Sequence, residues 1–241
     1  LADAIRRRPG DPSLASFARN WASLPLVNLP ATGLGAAFAS VPLLVVLSLA
    51  SADAAGHIAL AFRLLDVPVQ LLAAAIVPIA LNRFSRRGET AVQPRDPVLV
   101  AWLALAVLAA FGLIIAGFGL IEPWLQGTKW QGLSTLIPLV AFFQAGVALA
   151  LPLIQIADLG RNQRPLFAIQ AAAVAAIGLV SLLAQDWKVA LIGFGVIAMT
   201  RAMLLAAPLI LPASPAKRQA LLAFNAPSAP RHGLRPTAPA L

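Results

Sequence analysis

Arg201 stands in an uncharged stretch with no acidic residue within four positions on either side. It lies twelve residues into an apolar run that begins at Val189, about 18 Å deep at ~1.5 Å per helical residue. An unpaired charge at that depth faces a bundle interior or a water-filled cavity. Arg63 and Asp66 are spaced i, i+3 in another apolar run. Two readings stand for them: a self-neutralising pair on one helical face, with Arg63 snorkelling towards the membrane boundary, or a lumen-facing cation. Asn28, Thr32, Gln70, Gln144, Gln155 and Gln170 are uncharged polar residues in or beside the apolar runs. Interhelical hydrogen bonding is the ordinary use of such residues, with substrate contact as the other use. His57 reads as a solvated residue at a loop edge. The chain has no cysteine and two histidines, which leaves no disulfide, thiolate metal site or His/Cys cluster. There is no G-x-S-x-G elbow or Walker loop, and the acidic residues are scattered. Catalysis is disfavoured, and neither a metal nor a cofactor is expected.

The elements that carry these residues follow from composition. Hydrophobic residues make up 60% of the 241 and charged residues 11%, where a soluble domain carries roughly a quarter. The stretches 20–52, 97–121, 130–157 and 165–185 contain no charge at all, and each can cross a ~30 Å hydrocarbon core as helix. Six spans are predicted: Leu26 to Leu49, Ile58 to Leu81, Val98 to Ile121, Gly132 to Ile156, Leu166 to Leu183 and Val189 to Leu211. Backbone groups in lipid must be satisfied internally, so these are helices. Runs such as Leu71 to Val77 do not alternate as the strands of a membrane barrel would. The expected fold is an all-α integral membrane bundle of six transmembrane helices. Prolines at 25, 30, 42, 68, 78, 138, 152 and 208 favour bends in these helices.

The net charge of +9 does not point to nucleic acid, because the basic residues sit in short clusters between apolar runs. Fourteen of the 18 Lys and Arg fall before the first span, in the second and fourth connections and in the tail, against Lys129 and Lys188 in the opposite loops. By the positive-inside rule both termini are cytoplasmic. Trp21, Trp124, Trp130 and Trp187 fall at span ends, as amphipathic rings do at a headgroup boundary. The chain divides into a lead-in at 1–22, a six-helix lobe at 23–212 and a disordered Pro- and Ala-rich tail at 213–241. Ser13 to Ser23 form either a short interfacial helix, with Phe17 and Trp21 on one face, or a loop. The basic opening lacks the apolar core and cleavage site of a signal peptide, and the missing initiator Met is read as the mark of a fragment.

Five stretches carry a family resemblance. Phe17-Ala-Arg-Asn-Trp-Ala-Ser-Leu-Pro-Leu-Val-Asn-Leu-Pro, Ser40-Val-Pro-Leu-Leu-Val-Val-Leu and Ala55-Gly-His-Ile-Ala-Leu-Ala-Phe-Arg-Leu-Leu-Asp-Val-Pro resemble the seventh and eighth spans of polysaccharide flippases of the multidrug and oligosaccharidyl-lipid exporter superfamily. Gly127-Thr-Lys-Trp-Gln-Gly and Ile156-Ala-Asp-Leu-Gly-Arg-Asn-Gln-Arg are similar to later parts of that family, so the resemblance runs over about residues 15 to 165. Asp66 departs from the small or apolar residue expected there. The resemblance implies one lobe of a two-lobe exporter fold, with an N-terminal six-helix lobe as partner, in a bacterial inner membrane. It implies carriage of undecaprenyl-pyrophosphate-linked oligosaccharide for surface polysaccharide synthesis, among membrane lipid, with Arg63 and Arg201 as pyrophosphate contacts. Asp66, Gln70 and Asn28 join them as candidate substrate contacts. Alternatives are a drug or cation antiporter of the same superfamily, for which Asp66 is the candidate carboxylate, and a membrane enzyme or scaffold of polysaccharide assembly.

Overall fold

The structure is a computed structural model that describes residues 23–85, 96–158 and 164–211. The expectations for the lead-in with its Ser13 to Ser23 helix, for the tail, and for the basic clusters within 1–22, 86–95, 159–163 and 212–241 lie outside the described residues. So does the side chain of Asn28.

The described residues form six helices: α1 Ser23–Leu49, α2 Ala52–Ser85, α3 Pro97–Leu125, α4 Leu133–Asp158, α5 Arg164–Leu183 and α6 Trp187–Ile210. Each is long and apolar enough to cross a membrane, so the chain is an all-helical, multi-pass membrane protein. The helices run on through their internal prolines, including Pro30, Pro42, Pro68, Pro78, Pro138, Pro152 and Pro208.

Local chemistry sets the helix ends. The Asp96 carboxylate accepts from the Leu99 N–H at 3.0 Å with Pro97 in the first turn, and Asp186 accepts from Lys188 N–H at 2.9 Å; both are ordinary N-caps. α2 begins six residues before the expected Ile58, because helix continues past the apolar boundary once Ser51 Oγ accepts the Ala54 N–H at 3.4 Å. Between α3 and α4, Gly127 and Gly132 sit at φ 74° and 87°, a left-handed backbone that glycine adopts without a Cβ penalty.

α4 is the centre of the bundle, flanked by α2, α3 and α6, while α1 rests mainly on α5. In the most apolar window of each span, 67% of α4 and 50% of α6 is buried, against 17 to 22% of the other four. α4 and α6 are thus the core pair, and the other helices turn much of their surface outward. The core pair meets at small residues, as membrane helices do when packing rather than water drives association. A Cβ added to Gly146 would stand 2.7 Å from the Ala198 carbonyl carbon, so the two backbones are nearly in contact there.

Helix direction alternates. His57 Nε2 bonds the Lys129 carbonyl, which joins the α1–α2 and α3–α4 turns at one end. At the other end the Asp96 N–H donates to the Leu209 carbonyl at 3.1 Å, joining the start of α3 to the end of α6. His57, at this exposed end of the bundle, thus also tethers the two turns.

Candidate membrane-embedded site

The inward face of α6 repeats at helical spacing through Ala190, Leu191, Phe194, Ala198, Arg201, Ala202, Leu205 and Leu209, all buried. Arg201 falls on that stripe, so helical periodicity alone carries its charge inside. It is 4% exposed, and its Nε is buried without a partner. No described residue forms an ion pair with it; it rests on Phe38 of α1, whose ring centre lies 4.1 Å from the guanidinium carbon. A cation–π contact is worth ~0.5–2 kcal/mol, whereas a mid-bilayer Arg costs ~2.5–3.5 kcal/mol on insertion scales. The aromatic face alone does not cover the cost.

Arg201 lines a cavity of about 310 Å³ between α1, α4, α5 and α6, together with Thr32, Gly35, Phe38, Gln155 and Gln170. Gln170 is 2% exposed, and its Oε1 is also buried without a partner. The interhelical hydrogen bond expected of Gln170 is not made among the described residues; its Nε2 faces Gly35 of α1, where an added Cβ would stand 3.7 Å away. The cavity sits at the end of the bundle where α1 and α5 begin and α4 and α6 finish: Gln170 is six residues from Arg164, and Gln155 three from Asp158.

Arg63 is elsewhere. The buried stripe of α2 is Ile58, Ala61, Phe62, Leu65 and Val69, which leaves Arg63, Asp66 and Gln70 exposed along another face of the same candidate span. Arg63 and Asp66 do not pair; Asp66 Oδ1 instead accepts from Gln70 Nε2 at 3.4 Å. The i, i+3 spacing allowed the ion pair, but i, i+4 also brings side chains together on a helix, and that is the contact present. Arg63 lines an open cleft of about 430 Å³ with Asp53, His57, Lys129 and Trp130 at the opposite end of the bundle from Arg201. The two arginines are therefore not brought into one site.

A run of aromatic rings lies between them. Phe38 stacks on Phe143 with centroids 5.9 Å apart and 24° between planes, and Phe143 meets Phe62 at 5.9 Å and 48°. Phe62 precedes Arg63 in α2. None of these cross-helix neighbours was marked by spacing in the sequence, since Phe38, Phe143, Gln170 and Arg201 come from four different helices. Among the described residues no group of three His, Cys, Asp or Glu could hold a metal ion.

No family model matches the chain, nor does any curated protein or solved structure.

Proposed function

We propose that this chain is one lobe of a two-lobe membrane transporter, a flippase that carries undecaprenyl-pyrophosphate-linked oligosaccharide from the cytoplasmic to the periplasmic leaflet of a bacterial inner membrane. The observation that carries the reading is the exposed Arg63, Asp66 and Gln70 stripe on α2. Charges on the outer face of a bundle within a candidate span cannot rest against lipid tails without a cost of several kcal/mol. They are accommodated when that face borders water shared with a second lobe, which is the arrangement of a transporter cavity. The substrate class comes from the resemblance to polysaccharide flippases, and the buried cation of α6 suits its pyrophosphate. On this reading the end of the bundle bearing Arg201 is cytoplasmic, both termini lie on that side, and the partner is an N-terminal six-helix lobe.

A second reading has its own observation. Because Asp66 is held by Gln70 rather than by Arg63, its carboxylate is not neutralised and could exchange a proton or cation, as in an antiporter.

The test is reconstitution. Proteoliposomes holding both lobes should move a labelled polyprenyl-pyrophosphate sugar between leaflets, with Arg63→Ala abolishing movement and Asp66→Asn leaving it largely intact. Cation-coupled drug movement lost in Asp66→Asn, with no lipid movement, would replace the flippase by the antiporter.

A further inference from the structure

We infer that the cavity between α1, α4, α5 and α6 is a hydration site, in which bound water accepts from Arg201 Nε–H and donates to Gln170 Oε1, joining α6 to α5 through solvent. The inference goes beyond the transporter reading and does not rest on it.

Two buried atoms select the occupant. Arg201 and Gln170 are 4% and 2% exposed, line the same cavity, and each carries a buried atom with no partner among the described residues. The two atoms are of opposite kind, since Nε–H can only donate and Oε1 can only accept. A bare oxyanion would answer the guanidinium and leave Oε1 without a donor. An ammonium or metal cation would answer Oε1 and be repelled by the guanidinium. Water accepts and donates, so it alone among these answers both atoms.

The space fits the same occupant. At ~30 Å³ per water the cavity of about 310 Å³ holds roughly ten waters. Cavities lined only by apolar groups stay dry, but this wall adds Thr32 and Gln155 to Arg201 and Gln170. The Phe38 ring lies against a face of the guanidinium, whereas the N–H groups of that planar group point outward in its plane. Ring and water therefore do not compete for the cation.

A way in is present as well. α1 packs on α2, α5 and α6 but not closely on α4, and the cavity lies along that gap. Ala36 and Ala39 of α1 and Gln155 of α4 line it and are exposed, so they form its mouth. Solvent entering there lets Arg201 keep its charge without a carboxylate partner. Gln170 becomes a positioning residue, which holds the guanidinium on Phe38 through water without touching it.

The experiment is radiolytic hydroxyl-radical labelling of the full 241-residue chain in phosphatidylcholine nanodiscs, in water enriched in heavy oxygen, read by mass spectrometry. Radicals formed from bound water oxidise the side chains beside it. Phe38 and Phe194 are equally buried, at 1% and 0% exposure, but only Phe38 lines the cavity. Phe38 and Leu166 of the cavity wall should take up solvent oxygen, while Phe194 and Leu191 should not. Gln170→Leu should lose the labelling at Phe38 while staying helical and monodisperse, and Gln155→Leu at the mouth should keep it. Phe38 protected as fully as Phe194 in the wild type would overturn the site, and unchanged labelling of Phe38 in folded Gln170→Leu would overturn the bridge. If Gln170→Leu does not fold, the wild-type contrast between Phe38 and Phe194 decides alone. A lipid or small molecule carried by the wild type in native mass spectra and lost in Arg201→Met would put another occupant in place of water and overturn the inference.

Discussion

The guanidinium carbon of Arg201 and the ring centre of Phe38 are 4.1 Å apart, so the buried cation of α6 rests on an aromatic face of α1. This contact ties α1 to the core pair at the level of the cavity. It also sets how far α1 can move without exposing the charge to its apolar neighbours.

That contact should be measurable as a coupling energy. Phe38→Leu should destabilise the chain in detergent, and the loss should be smaller when Arg201 is already Met. The double-mutant cycle should give ~0.5–2 kcal/mol of coupling. A value near zero would mean that the ring fills space without feeling the charge.

The closeness of α4 and α6 makes a second prediction. Gly146→Ala places a methyl 2.7 Å from the backbone of Ala198, which only a separation of the helices can relieve, at ~1–3 kcal/mol. Gly33→Ala meets nothing within 4 Å and should be neutral or slightly stabilising through helix propensity. Gly195→Ala falls between, since its obstacle is the part-exposed Phe142 ring, which can turn aside. Thermal unfolding of the three variants checks the order, and equal melting temperatures for Gly146→Ala and Gly33→Ala would refute it.

The six spans were legible in the sequence because bilayer thickness imposes a length on uninterrupted apolar runs, and that length survives without knowledge of any partner. The N-caps at Asp96 and Asp186 were not read from the sequence, and α2 outran its apolar window at Ser51. Arg201 was marked by its isolation from acids along the chain. What escaped was everything set across helices: Phe38 beneath the guanidinium, Gln170 lining the same cavity, His57 on the Lys129 carbonyl. These pairs are separated by 31 to 163 positions, and periodicity within one helix carries no information about which helix it will face. Asp66 was left open by spacing alone, which allows a pair with Arg63 at i, i+3 and a contact with Gln70 at i, i+4, and the contact present is the second.

Topology provides a third prediction. Reporter fusions after Arg87 and after Glu122 should report opposite sides of the membrane, the first cytoplasmic, because α3 lies between them. The same side for both would break the alternation of the bundle.

The central claim is that the outward face of α2 borders water rather than lipid, and the chain has no cysteine to complicate a labelling test. Single changes Asp66→Cys and Gln70→Cys probe the polar stripe, while Leu64→Cys and Leu71→Cys probe the exposed apolar face of the same helix. In membranes holding both lobes, a membrane-impermeant maleimide should label the first pair from at least one side and leave the second pair unlabelled. No labelling at 66 and 70, or equal labelling at all four positions, would contradict a water-lined transport face.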